Sequence, residues 1–102
     1  HGIGNALFEW MGYDENGQPL TTNFGEYTMP TATELIGLDL QYQHSPTPLN
    51  PLGVKGVGET GTVPAAAAIV SAVENALEPF GARISDYPVK PAKIVEIVRG
   101  AG

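Results

Sequence analysis

Apolar residues recur along this chain in two rhythms, and each predicts a different kind of element. Ile3, Ala6, Leu7 and Trp10 fall on one helical face, which predicts a short helix over Ile3–Trp10. Ala66, Ile69, Val70, Val73 and Leu77 form a second helical stripe, which predicts a helix over Val63–Leu77. Pro64 suits its first turn, having no N–H to leave unpaired, and Pro79 and Gly81 stop it. A third helix is predicted over Pro91–Arg99, with Ile94, Ile97 and Val98 buried and Gly100 beyond its end. The other rhythm has period two. In Gly37–His44, Leu38, Leu40 and Tyr42 face one way while Asp39, Gln41 and Gln43 face the other, the pattern of a half-buried strand.

Turn residues punctuate these elements. Asn16-Gly17 is a strong hairpin signal, so strands are expected over Trp10–Asp14 and Gln18–Thr22. Phe24–Thr33 contains Pro30 and mixed polar residues and is read as extended and irregular. A proline-rich connection through Pro46, Pro48 and Pro51 follows the predicted strand. Helix, hairpin, strand, helix, helix does not alternate regularly, so the expected class is α+β: mixed helices with a small hairpin-containing sheet, over a single unit or fragment spanning residues 1–102.

Composition narrows the chemistry. With 11 acidic and 5 basic residues the formal charge is −6 and no basic patch is visible, which argues against nucleic acid as a partner. The absence of cysteine excludes a disulfide framework, a zinc–thiolate site or an iron–sulfur cluster held by this chain. His1 and His44 are too few and too separated for a histidine metal site. No apolar run approaches the roughly 20 residues a membrane span requires. A start at His1 rather than Met suggests a piece of a longer chain, and a cytoplasmic location is the default expectation.

The chemistry-bearing stretch is Asn50 to Gly61, a glycine-rich loop that carries Lys55 and Glu59 and leads into the alanine-rich helix. Gly56, Gly58 and Gly61 fit G-x-G-x-x-G, yet a dinucleotide fingerprint follows a buried strand, whereas this loop follows Pro48-Leu49-Asn50-Pro51. Glycines let a backbone approach a ligand closely, and a helix start offers unpaired N–H groups to an anion. Glu59 is then either a first-turn acid complementing the helix dipole, worth up to about 1 kcal/mol, or a catalytic base. The residues alone favour the first of these. Lys55 is either a solvated loop lysine or a partner for Glu59. The slim run Ala65–Ala68 allows close packing behind the loop.

Several ordered segments together resemble the C-terminal part of the large, molybdenum-binding subunit of the xanthine oxidase, aldehyde oxidase and aerobic carbon monoxide dehydrogenase family. They are Gly2–Glu9, a glycine-rich helix start; Tyr13–Leu20, the hairpin; Tyr27–Glu34, an extended segment; Thr47–Glu59, the loop that closes on the molybdenum site; and Ala82–Val98, which contains Asp86-Tyr87-Pro88. The texture is nearest to the carbon monoxide dehydrogenase-like and bacterial aldehyde dehydrogenase-like branch. His1 stands where many members carry glutamine.

The resemblance implies a molybdenum–pyranopterin cofactor, often in dinucleotide form, with iron–sulfur clusters and FAD carried by partner chains or domains. It implies that Glu59 is the general base that activates a molybdenum-bound hydroxyl to hydroxylate an aldehyde, an N-heterocycle or carbon monoxide. Lys55, Gly56, Val57, Gly58 and Gly2 would then lie at cofactor-binding positions. The expected partners are the remainder of the large subunit, the flavin and iron–sulfur subunits and a small-molecule substrate. An oligomer is expected, because both late helices present apolar stripes that need cover. The alternative is a separately folded structural or assembly module with no activity alone.

Overall fold

The computed structural model describes residues 1–100 and contains three α-helices: α1 (Gly2–Leu7), α2 (Ala65–Ala76) and α3 (Pro91–Gly100). A 3₁₀ turn, Glu78–Phe80, follows α2. α1 packs on α2. Its inner face is made of the small residues Gly2, Gly4 and Ala6, rather than the predicted Ile3, Ala6, Leu7 and Trp10 stripe. Small side chains allow three neighbours to reach the helix. A Cβ at Gly2 would collide with the Ala65 side chain of α2. One at Gly4 would lie 2.9 Å from Pro30 Cδ. The Ala6 carbonyl accepts the Val89 N–H at 2.8 Å, tying the tail to α1. The Phe8 N–H makes the last regular bond, to the Gly4 carbonyl at 2.9 Å, and the helix stops there because the Glu9 N–H also turns back to Gly4, at 2.8 Å, instead of to Asn5. Trp10 therefore lies outside the helix, where Lys90 Nζ sits 5.7 Å from the centre of its ring.

α2 follows its predicted stripe. Ala66 is buried, and Ile69, Val70, Val73 and Leu77 are half-buried. Gly81 at φ 66 closes the 3₁₀ turn, as its freedom at positive φ permits. Glu74 then fastens the returning chain. Its carboxylate accepts the Ile84 N–H at 3.0 Å and pairs with Arg83 at 2.7 Å. The Ile84 N–H bond first, then Arg83, holds the Glu74 carboxyl below its ordinary range. α3 is anchored near its start by an ion pair between Lys93 and Asp86. It includes Gly100, and Ile94, Ile97 and Val98 are half-buried rather than buried.

The expected hairpin-containing sheet does not form, so the α+β assignment is corrected to a helical architecture joined by long irregular segments. Among the described residues, the hairpin reduces to one isolated bridge, Tyr13 to Pro19. The turn itself is present: Gly17 has φ 79, and Asp14 N–H donates to the Gln18 carbonyl at 2.9 Å. Strand growth is blocked on both sides of it. The Asp14 carboxylate takes the Asn16 and Gln18 N–H groups, at 2.8 and 2.9 Å. Pro19 has no N–H to give. The Gly12 N–H goes to the buried Thr21 hydroxyl at 3.2 Å instead of to a ladder carbonyl. The predicted strand over Gly37–His44 is likewise unassigned, and no backbone hydrogen bond reaches it from another described residue. An alternating segment becomes a strand only beside a neighbour, and none pairs with it among the described residues.

The core is correspondingly thin, consisting of Ala6, Ala66, Ala82, Ile84 and Val89. The Cα radius of gyration is 17.6 Å, against about 13 Å for a compact chain of this length. No helix of the described residues is long and apolar enough to cross a membrane.

Candidate functional site

The glycine-rich loop is held at both ends and free in its middle. At the entry, Asn50-Pro51-Leu52-Gly53 forms a turn in which the Gly53 N–H donates to the Asn50 carbonyl at 3.1 Å. Gly53 takes φ 67, and a Cβ there would stand 2.9 Å from Pro46 Cβ, so both conformation and space require glycine. The Asn50 side chain then clasps Val54 from both sides. Its Nδ2 donates to the Val54 carbonyl at 2.9 Å, and its Oδ1 accepts the Val54 N–H at 3.1 Å. The Thr47 N–H closes the neck onto the Gly53 carbonyl at 3.2 Å.

At the exit, the Glu59 carbonyl accepts the N–H groups of Thr62 and Val63, both at 3.0 Å, which turns the chain into α2. Gly2 presses on this same segment. A Cβ there would lie 3.0 Å from the Gly61 carbonyl and 3.3 Å from that of Thr62. Thus the α1–α2 contact fixes one end of the loop, and the Asn50 clasp fixes the other.

Between these anchors, the backbone N–H groups of Lys55, Gly56, Val57, Gly58 and Glu59 donate to no acceptor among the described residues. A Cβ at Gly56, Gly58 or Gly61 would meet nothing within 4 Å. Nothing among the described residues therefore requires the space of a glycine at those positions. Lys55 Nζ donates to Ser45 Oγ at 3.2 Å and does not pair with Glu59. Glu59 is exposed and lies before Ala65, where α2 begins, and the first turn of that helix holds no acidic residue. The first-turn-acid reading of Glu59 is thereby removed.

A hollow of about 1010 Å³ brings Lys55, Gly56 and Val57 together with Tyr42, His44, Ser45 and Thr60. Gly58 and Glu59 sit outside its lining, and Gly2 stands apart at the helix contact. The sequence reading missed Asn50, Ser45 and Thr47 as loop-fixing residues. The signal was available in Asn-Pro-Leu-Gly, with proline second and glycine fourth in the turn. Among the described residues no group of three or more His, Cys, Asp or Glu could hold a metal ion.

A family model for a molybdopterin cofactor-binding domain matches residues 1–36. The nicotine 6-hydroxylase large subunit of Paenarthrobacter nicotinovorans is 38% identical over 99 residues, covering 97% of this chain and 12% of that protein. The xanthine dehydrogenase molybdenum-binding subunit of Escherichia coli O157:H7 is 36% identical over 102 residues, covering 99% of this chain and 13% of that protein. The crystal structure of quinoline 2-oxidoreductase from Pseudomonas putida 86 superposes with a TM-score of 0.85 at 34% identity, over 96% of this chain and 13% of that one. The chain thus spans about an eighth of the length of these relatives. The open path and thin core superpose on part of a far longer chain. The chain belongs to the xanthine oxidase and carbon monoxide dehydrogenase family, as a segment of its molybdenum-binding large subunit.

Proposed function

We propose that this chain supplies the general base of a molybdenum hydroxylase, and that the base is Glu59. The observation that carries this is the state of the Glu59 carboxylate. It stands exposed on a loop anchored at both ends, outside the first turn of α2 and unpaired with Lys55. A carboxylate with no structural duty, carried beside the anchored exit of the loop, is free to take a proton.

The residues present fit a molybdenum–pyranopterin group held chiefly by other parts of the large subunit. The chain has no metal-ligand cluster among its described residues, so it would not ligate the metal by side chains. It does offer five successive N–H donors from Lys55 to Glu59 and open space beside Gly56 and Gly58. Such donors suit the anionic oxygens of a phosphorylated pterin. When bound, the cofactor supplies the two-electron redox chemistry. The chain's own part is to bring the loop N–H groups and Lys55 against the cofactor and to place the Glu59 carboxylate where it accepts the proton released from the attacking oxygen.

The substrate class favoured by the relatives is an aromatic N-heterocycle, since nicotine and quinoline both are, ahead of aldehydes or carbon monoxide. The partners proposed are the rest of the large subunit and separate flavin and iron–sulfur subunits. The isolated chain would be inert, because its thin core cannot enclose a cofactor.

The test is Glu59→Gln in the large subunit that contains this sequence. Turnover should fall by at least about 10²-fold, the scale of a lost general base, with molybdenum content unchanged. Near-normal turnover at full metal occupancy would sink the assignment.

A further inference from the structure

Gly37–His44 has no assigned secondary structure and no backbone partner among the described residues. Leu38, Leu40 and Tyr42 are 59%, 73% and 86% exposed, and no backbone hydrogen bond reaches the segment from another described residue. Its sequence nevertheless alternates as a strand's does. Gln41 Nε2 donates to Asp39 Oδ2 at 3.3 Å, so these two polar side chains, two residues apart, lie together. The polar residues fall at one set of alternate positions and the apolar ones at the other. This is a row of unpaired peptide groups with one apolar side, the form that adds to the edge of a sheet.

We infer that Gly37–His44 docks as an added β-strand on an exposed strand edge of the remaining large subunit, with Leu38, Leu40 and Tyr42 turned into its core. The occupant is fixed by two observations. The chain matches only 12–13% of its relatives' length, so in each of them most of the polypeptide lies outside the matched stretch. The open path also superposes on part of a far longer chain, with a TM-score of 0.85 over 96% of this one. The role matters for the site, because Tyr42, His44 and Ser45 line the same hollow as Lys55. Fixing the strand fixes that wall. The inference rests on family membership and not on the role of Glu59.

The test is hydrogen exchange in the large subunit that contains this sequence, followed by two substitutions. At least every second amide between residues 38 and 44 should exchange about 10-fold or more slowly than an unpaired amide. Exchange at unpaired rates would overturn the inference. Protection lost on dilution would overturn it too, since that would mark pairing between two copies. Leu40→Asp should lower the yield of soluble, molybdenum-loaded subunit by about 10-fold or more, while Gln41→Asp leaves it within about 2-fold. Equal effects would refute the assigned face. Glu59→Gln should leave the protection intact, which separates failure of this inference from failure of the catalytic reading.

Discussion

Gly2→Ala sets two effects of opposite sign against each other. On intrinsic preference alone, alanine in α1 should help by up to about 1 kcal/mol. On packing it should harm, because the new Cβ would coincide with the Ala65 side chain and lie 3.0 Å from the Gly61 carbonyl. Both neighbours are close to backbone and cannot swing away. Overpacking of this kind costs about 1–3 kcal/mol, so the net expectation is destabilisation of about 1–2 kcal/mol. The assay is native-state hydrogen exchange at Ala68, whose N–H bonds the Pro64 carbonyl at 3.0 Å in the first turn of α2. Exchange should quicken by about 5–30-fold. Ala65→Gly alone should cost about 0.5–1 kcal/mol. Combined with Gly2→Ala it should recover at least about 0.5 kcal/mol through the relieved Cβ contact. Additive costs, or a stabilised Gly2→Ala protein, would refute the close α1–α2 approach that anchors the loop exit.

Two further expectations test the other supports. Asn50→Ala removes both halves of the Val54 clasp, each worth about 0.5–1.5 kcal/mol, so the Val54 amide should exchange about 10-fold faster. Asn50→Asp keeps the acceptor for that N–H and should recover most of the protection. Glu74 has its carboxyl held below the ordinary value of 4.5 by the Ile84 N–H and then by Arg83. A lowered folded pKa contributes stability above the unfolded value that is lost as pH falls through the folded one. The Ile84 amide, corrected for its intrinsic pH dependence, should therefore lose protection below about pH 4.5. Glu74→Gln should abolish that pH dependence.

What was legible in the sequence followed from local rules. The α2 stripe, its stop at Pro79 and Gly81, the start of α3 at Pro91 and the turn at Asn16-Gly17 need only neighbours close in the chain. Lys55 and Glu59 were found as loop residues by the glycines around them, but whether Glu59 belonged to the helix could not be read from spacing. A few residues decide that, and the first turn of α2 begins at Ala65. The hairpin failed because side chains of Asp14 and Thr21 captured N–H groups that a ladder would have used.

The sequence by itself determined the family and the presence of three helices, because each is encoded by residue types at short, fixed spacings. Only the tertiary structure decided that Gly2 is a packing residue against α2, that Asn50 clasps Val54, and that Lys55 turns to Ser45 rather than to Glu59. It alone decided, too, that Gly37–His44 has no backbone partner among the described residues. The reason is physical. A strand, a clamp or an ion pair exists only between two surfaces, and which surfaces meet depends on the path of the whole backbone.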